Sequence, residues 1–165
     1  MPAAPAKQPA RTRPQDPVNQ QVLLGLLGYN CLQAYLSLVP VTKKQLAKYS
    51  LRPVEFTVLS LIKANPDINQ KRLGTTLNIS PPNLATLLDR METGGLLLRQ
   101  RNPLDRRSQS LALTSTGAAA CAKAEIALEK TENGPGSGSR QPLAEHERLE
   151  LLRLLQKVFL PPAQN

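Results

Sequence analysis

The spacing of apolar residues between residues 50 and 113 constrains the fold of this chain more than any other feature. Up to Met91 the apolar side chains recur every three or four positions, as they do on the buried face of a helix. After Gly94-Gly95 the period changes, because the segment from Ser108 to Leu113 alternates as a strand does. The sequence therefore predicts helices followed by short strands.

Three helices are predicted before this change of period. The first begins at Arg52-Pro53, since proline is tolerated in the first turn of a helix. The second is short and is capped by Asn69, and the third follows a Ser80 cap. Gly94-Gly95 ends the third helix, since glycine readily takes the backbone conformation found after a helix.

Two strands follow, from Leu96 to Arg101 and from Ser108 to Leu113, and the basic loop between them makes a β-hairpin. Helix, short helix, helix and hairpin is the order of a winged helix-turn-helix. In that fold the third helix enters the major groove of DNA and the hairpin loop reaches a minor groove. Four of the nine residues from 99 to 107 are arginines that can meet phosphates.

The overall charge agrees with a polyanionic partner. The chain has 21 Lys and Arg against 12 Asp and Glu, a formal net charge of +9, and such a field attracts nucleic acid. Apolar runs such as Val22 to Leu27 are far shorter than the roughly 20 residues of a membrane span. We expect a soluble, cytoplasmic, nucleoid-associated protein with no membrane partner.

The residues that carry enzymatic chemistry are scarce. Cys31, Cys121 and His146 are too few for a metal site or a disulfide framework. No phosphate loop and no Ser, His and Asp arrangement at recognisable spacing is present, so we predict neither a cofactor nor an enzyme. Both cysteines lie on apolar helical stripes and are interpreted as small buried side chains. A cysteine-based redox-sensing regulator stays an alternative.

Helical regions flank the lobe. From about Pro17 to Leu46 the apolar face is wider than one stripe, and Pro40 should kink or interrupt the helix. An Ala-rich helix from Thr114 to Lys130 and a last helix from about Pro142 to Phe159 follow. Faces this wide predict a homodimer. We divide the chain into a disordered basic, proline-rich tail (1–16), a dimerisation helix (17–49), a DNA-binding lobe (50–113) and C-terminal dimerisation helices (114–165) with a flexible loop (132–141).

The central part of the chain has a series of short motifs at defined spacing: Ser50-Leu51-Arg52-Pro53, Leu73-Gly74, Leu77-Asn78-Ile79-Ser80, Leu87-Leu88-Asp89-Arg90-Met91, Gly95-Leu96, and Asp105-Arg106-Arg107 followed by Leu113-Thr114 and Gly117. In these motifs the chain resembles the MarR family of transcriptional regulators. The resemblance implies a mainly α fold with a small β-hairpin wing and a helical dimerisation region. It also implies a triangular homodimer with a small-molecule cleft between the dimer region and each lobe.

By position, the resemblance implies DNA contacts on the third helix and the wing. Arg90 is expected near the wing or the backbone and Arg107 at the minor groove, while Asp105 orients a neighbouring guanidinium. Base readout is expected chiefly from Asn83 and Thr86. The full predicted DNA-binding set is Asn69, Gln70, Lys71, Ser80, Pro82, Asn83, Thr86, Arg90, Arg101, Asp105, Arg106 and Arg107.

The predicted function is a sequence-specific regulator of double-stranded DNA, a repressor of a pseudo-palindromic operator that a small effector releases. The resemblance suggests an aromatic carboxylate as effector, with Arg52 pairing with its carboxylate. The predicted effector-binding residues are Tyr29, Tyr49, Arg52 and Phe56. An alternative from another class is a winged-helix architectural or protein-interaction module that binds nucleic acid without sequence choice, and competition with unrelated DNA separates the two.

Overall fold

The computed structural model describes residues 18–101, 109–132 and 142–161. In chain order the elements are α1 (Gln21–Leu24), α2 (Leu27–Ala47), α3 (Pro53–Ala64), α4 (Gln70–Leu77), α5 (Pro81–Thr93), β1 (Leu97–Arg101), β2 (Gln109–Leu113), α6 (Ser115–Glu132) and α7 (Glu145–Phe159). The predicted tail, the wing residues 102–108 and nearly all of the predicted loop at 132–141 lie outside the described residues. The mainly α class with one hairpin is confirmed.

The N-terminal helical region is divided at a place that the sequence did not predict. Leu26 is extended (φ −100°, ψ 122°) and separates α1 from α2. The Asn30 side chain stabilises this break, since its Nδ2 donates to the carbonyls of Leu24 (2.9 Å) and Leu26 (2.8 Å). The prediction that Pro40 interrupts the helix is wrong, because α2 runs through it to Ala47. The carbonyl that Pro40 leaves without a helical donor lies on an exposed stretch, where water can replace the missing N–H.

The helix-turn-helix begins and ends its helices close to the predicted positions. The Asn69 side chain accepts the backbone N–H of Arg72 at 2.9 Å and so caps α4. Asn78 ends α4 in the left-handed conformation, with φ 52°, which Asn tolerates better than most residues. Ser80 occupies the N-cap position of α5 but its side chain makes no capping bond, so that part of the prediction is wrong. Pro82 supplies no N–H at the second helical position, which removes one of the two donors such a cap uses.

The hairpin is antiparallel and is attached to the helix-turn-helix by the backbone. Leu97 pairs with Leu113 and Arg99 with Leu111. The backbone N–H of Leu111 donates to the carbonyl of Ile68 at 2.9 Å, just before α4. The wing is therefore held to the turn between α3 and α4 as well as to α5.

One hydrophobic core unites α3, α4, α5, the hairpin, α6 and the end of α2. Thr114 caps α6 as predicted, because its Oγ1 accepts the backbone N–H of Gly117 at 3.0 Å. The side chains with almost no exposed surface are Leu46, Val58, Leu59, Leu73, Leu84, Leu88, Met91, Leu97 and Cys121. This core fixes the position of α5 and the hairpin.

The outer helices lie largely outside that core. In the described parts of the chain α7 packs only marginally against other elements. Its Phe159 is 70% exposed, and Leu149 and Leu152 on the same helix are exposed too. On α2, Leu27 and Tyr35 are among several exposed apolar side chains. No helix in the described ranges has both the length and the hydropathy to cross a membrane.

Gly117 generates a test of the packing between α6 and the hairpin. A Cβ on Gly117 would lie 1.8 Å from the carbonyl oxygen of Leu96, which is backbone and cannot rotate away. We expect Gly117→Ala to lower the free energy of unfolding by about 2–4 kcal/mol, the range of disruptive overpacking in a core. Urea unfolding at a fixed protein concentration measures it.

Gly74→Ala is the matched control, because its Cβ would meet the end of the Leu84 side chain at 3.1 Å and the Ile79 carbonyl oxygen at 3.4 Å, neither of them as close as the contact at Gly117. That variant should stay within about 1 kcal/mol of the parent, since alanine also favours the helix. Equal effects of the two substitutions would contradict the packing described for Gly117.

Candidate nucleic-acid interface

The first half of α5 presents a polar and proline-containing face to the surface. Leu84, Leu87, Leu88 and Met91 are buried on the opposite side of the helix, so the helical period turns the intervening residues outward. The exposed residues of the outer face are Ser80, Pro81, Pro82, Asn83 and Thr86. This is the face that the sequence predicts to read DNA.

The side chains on this face differ in which hydrogen-bonding groups remain available for DNA. Within the described residues the Asn83 amide makes no hydrogen bond, so its donor and acceptor are both available for the edge of an adenine. Thr86 is less free than predicted, because its hydroxyl donates to the carbonyl of Pro82 at 3.1 Å. Its methyl group and an oxygen lone pair remain for a base. Ser80 keeps its hydroxyl, since it does not cap the helix.

The start of α4 lies beside the start of α5. A groove of about 900 Å³ separates the two helices, and Gln70, Lys71 and Ser80 are among the residues that line it. Lys71 is exposed, as a phosphate contact requires. Asn69 is partly buried and its Oδ1 already accepts the Arg72 N–H, so its amide nitrogen and the second lone pair of Oδ1 remain for DNA. The structure thus brings together the predicted contacts of both helices.

Arg90 is placed differently from the prediction. Its guanidinium pairs with Glu55 of α3, with Nη2 at 2.9 Å and Nε at 3.1 Å from Oε1. Glu55 is only 7% exposed, and its second oxygen accepts the backbone N–H of Arg52 at 2.8 Å. Arg90 therefore joins α5 to α3, and much of its charge is already compensated. The sequence signal for Glu55 was its place three residues after the N-cap Arg52, where a carboxylate can cap a helix.

The arginines of the wing fall into two groups. Arg99 points its guanidinium to carboxylates of α5, whereas Arg101 is exposed and has no ion-pair partner within the described residues. Burial lowers the pKa of Arg99, but hydrogen bonds with Asp89 and Glu92 outweigh it, so that the pKa is raised overall. The predicted contacts Asp105, Arg106 and Arg107 lie outside the described residues and stay predictions.

The four predicted effector residues are not brought together in one chain. Tyr29 lies near the start of α2 and Tyr49 just beyond its end, and 20 residues of helix separate them by about 30 Å. Tyr29 donates its hydroxyl to Gln20. At the junction of α2 and α3, Tyr49 and Phe56 are half-buried against the core, and Arg52 is exposed. Within one protomer the candidate cleft is therefore limited to Tyr49, Arg52 and Phe56.

Cys121 has the environment of a structural thiol. It is fully buried, its Sγ lies 3.6 Å from Ser60 Oγ, and it donates to Glu125 Oε1 at 3.5 Å. Burial raises the pKa of the Cys121 thiol, the hydrogen bond with Ser60 opposes this, and the charge of Glu125 raises the pKa further. Redox-sensing thiols need the opposite environment, exposed and electropositive. Cys31 is only partly buried, so the prediction of a buried side chain is correct for Cys121 alone.

Comparison with known sequences gives relatives for most of the chain. A sequence model described as the MarR family matches residues 51–109. The HTH-type transcriptional regulator MgrA of Staphylococcus aureus is 30% identical over 119 residues, which are 72% of this chain and 76% of MgrA. A putative transcriptional regulatory protein for the hcr operon of Thauera aromatica is 26% identical over 107 residues, which are 65% of this chain. The match spans 62% of the length of that relative.

Comparison with solved structures extends the likeness to nearly complete chains. The transcriptional repressor CouR bound to a 23-mer DNA duplex has 34% identity and a TM-score of 0.75, covering 87% of this chain and 99% of CouR. CouR bound to p-coumaroyl-CoA has 32% identity and a TM-score of 0.71, covering 86% of this chain and 97% of CouR. The arrangement of helices and hairpin is thus one that occurs with DNA and with a ligand.

The burial of Cys121 generates a test of the redox alternative. In a Cys31→Ser variant Cys121 is the one remaining thiol. At pH 7 we expect its alkylation by iodoacetamide to be at least about tenfold slower in the folded protein than in the urea-unfolded chain, because local opening must first expose it. The folded rate should rise toward alkaline pH, since the raised pKa keeps the thiol protonated at neutrality.

Mass spectrometry measures both rates, and a folded thiol that reacts as fast as the unfolded one would contradict a structural role for Cys121.

Proposed function

Because this chain belongs to the MarR family of winged helix-turn-helix transcriptional regulators, we propose that it is a homodimeric repressor that binds a pseudo-palindromic operator and is released by a small effector. The observation that carries the proposal is the exposed face of α5, where the Asn83 amide has no partner within the described residues. The likeness to CouR bound to DNA supports it. The proposed site of action is the chromosome, in the cytoplasm, and the proposal includes no enzymatic step.

The proposed dimer follows from the apolar surface of the outer helices. The exposed apolar side chains of α1, α2 and α7 include Leu24, Leu27, Leu32, Tyr35, Leu36, Leu149, Leu152, Val158 and Phe159. So many exposed apolar side chains are unusual for a monomer, since each Å² of apolar surface that is buried contributes about 25 cal/mol. A second copy with the same helices covers these faces. The pair then presents two α5 helices to one side of a duplex, which a two-fold operator requires.

In the proposed complex α5 enters the major groove. Asn83 contacts a base edge, Thr86 offers its methyl group, and Ser80 and Lys71 contact phosphates at the groove edge. Pro82 packs against sugar or base edges near the start of the helix. The remaining predicted contacts are Asn69, Gln70, Arg90, Arg101, Asp105, Arg106 and Arg107.

The chemistry beside the candidate cleft favours an effector with several negative charges. The cationic residues Lys43, Lys44, Lys48 and Arg52 are all exposed around the end of α2, and the sequence has no Asp or Glu from residue 18 to residue 54. A simple aromatic carboxylate has one charge for this surface, whereas a coenzyme A thioester has several phosphate charges. The likeness to CouR bound to p-coumaroyl-CoA points the same way. We therefore propose an aromatic acyl group with a polyanionic tail, held by Tyr49 and Phe56 at the acyl end.

Release follows if the effector changes the separation of the two lobes. The proposed effector site is at the junction of α2 and α3, so a ligand there would contact the junction between the proposed dimer helices and the lobe. An effector shifts the operator equilibrium only as far as it favours a lobe arrangement that cannot dock. Tyr29, about 30 Å away in its own chain, contributes only if the partner chain brings it to the cleft.

Two substitutions test the DNA-binding proposal, because they should impair DNA binding in different ways. Asn83→Ala should leave the salt dependence of affinity nearly unchanged and reduce the preference for operator over a one-base variant by about 1–3 kcal/mol per half-site. Arg101→Ala should weaken operator and unrelated DNA alike and make the dependence of log affinity on log salt shallower, because a phosphate contact is lost.

Fluorescence anisotropy at several salt concentrations, with an operator selected from random duplexes, measures both effects. Lys123→Ala on α6 is the matched control, since it removes the same charge from an exposed residue away from α5 and the hairpin. If Asn83→Ala weakens operator and unrelated DNA by the same factor, the chain is a module without base readout, as the occupied donor of Thr86 would allow.

The effector proposal is tested by comparing p-coumaroyl-CoA, free p-coumarate and coenzyme A as releasing agents in the same anisotropy assay. We expect p-coumaroyl-CoA to release the operator at a concentration at least about tenfold lower than either fragment, because linked groups bind with a high effective concentration. Lys48→Ala should reduce sensitivity to the thioester more than to the free acid, with Lys123→Ala as the charge control. Equal potency of p-coumarate and its thioester would refute the polyanionic tail.

A further inference from the structure

Arg99 occupies an unusual position on the hairpin. Leu97, two residues earlier on the same face of β1, is completely buried, and Leu111 lies opposite Arg99 in the register. The guanidinium of Arg99 therefore lies at the edge of the apolar face of the hairpin. Its side chain is only 20% exposed, which is low for one of the four arginines of residues 99–107 that, by sequence, can meet phosphates.

Within the described residues, the side-chain partners of Arg99 lie on one turn of α5. Its Nη2 donates to Asp89 Oδ1 at 2.6 Å, and its Nη1 donates to Glu92 Oε2. The backbone N–H of Arg99 donates to the other oxygen of Glu92 at 3.0 Å. Asp89 and Glu92 are three positions apart and share a helix face. Together these bonds form a connection between β1 and α5, which we call the Arg99 clamp.

The charges of the clamp do not suit a DNA contact. Asp89 and Glu92 carry −2 against the +1 of Arg99, so the cluster has a net charge of −1 beside a surface that is to approach phosphates. An uncompensated carboxylate there repels DNA. These acids are consistent with DNA binding if they hold a part of the interface in place.

The same turn of α5 is attached on a second side. Arg90, between the two acids in sequence, pairs with the buried Glu55 of α3. The last turns of α5 are thus connected to α3 and to β1 by charged groups, while Met91 is buried in the core. These contacts restrict α5 and the hairpin to one arrangement relative to each other.

We propose that Arg99 is a positioning residue: with Asp89 and Glu92 it fixes the hairpin against the recognition helix, so that Arg101 at the end of β1 approaches DNA in one orientation, and it makes no phosphate contact itself. The inference rests on the proposed DNA binding. An ordered hairpin loses less conformational freedom on binding, so the clamp strengthens the complex without touching the ligand.

The charge change at Glu92 distinguishes the two roles by sign. If Arg99 contacts phosphate, Glu92→Gln frees its charge, and operator binding becomes tighter with a steeper salt dependence. If Arg99 is a positioning residue, Glu92→Gln loosens the hairpin and weakens operator binding, by about tenfold for loss of a half-buried charge-assisted hydrogen bond. Glu125→Gln is the matched control, because it removes one negative charge from an ion pair between α3 and α6, Lys63–Glu125 at 2.5 Å.

A second measurement needs no DNA and so separates failure of the clamp from failure of the proposed function. In Arg99→Ala the backbone amides of β1 and β2 should exchange with solvent about tenfold faster, while those of α3 stay protected, because the hairpin loses its side-chain attachment to α5 and the core around α3 is unchanged. Arg99→Lys should restore part of the protection, since one ammonium can pair with one carboxylate at a time. Tighter operator binding by Glu92→Gln, or unchanged exchange of the hairpin in Arg99→Ala, would overturn the proposal.

Discussion

Burial of one face of α5 is the constraint on which the rest of the lobe depends. Leu84, Leu88 and Met91 are fixed in the core, and since successive helical residues are rotated by about 100°, Asn83 and Thr86 must then face outward. The core cannot shift this helix without opening cavities on several sides. The face that is proposed to read DNA is therefore oriented by apolar side chains that do not themselves contact DNA.

The sequence was sufficient for the elements whose signals are local. The change of period after Gly94-Gly95, the cap at Asn69 and the proline at the start of α3 each depend on a few neighbouring residues, and the structure confirms them. The sequence predicted neither the break at Leu26 nor the continuity of α2 through Pro40. Whether the hydrogen bond that Pro40 removes destabilises the helix depends on whether water reaches the carbonyl left without a donor. Ser80 has the residue type of a capping side chain but makes no capping bond, because Pro82 removes one of the two backbone donors that such a cap uses.

The candidate site was predicted in outline but not in its charge pairing. The outward face of α5 follows from periodicity, whereas the partners of Arg90 and Arg99 depend on which elements meet in space. An arginine in a basic segment looks the same in sequence whether it faces phosphate or, like Arg99, a carboxylate 10 residues earlier. Tyr29 illustrates the same limit, since chain position alone does not show that most of α2 separates it from Tyr49.

The loose attachment of α7 has a consequence for the lifetime of the protein. In the proposed dimer α7, whose Phe159 and its neighbours are exposed in the single chain, is stabilised by contact with the second copy. By mass action, the fraction of chains that are dimeric, and so protected from proteases, rises with the amount synthesised. Newly made copies would remain accessible to proteases until they meet a second copy. Such a regulator would be degraded quickly when its expression falls. Repression would then require the concentration of the protein to exceed a threshold.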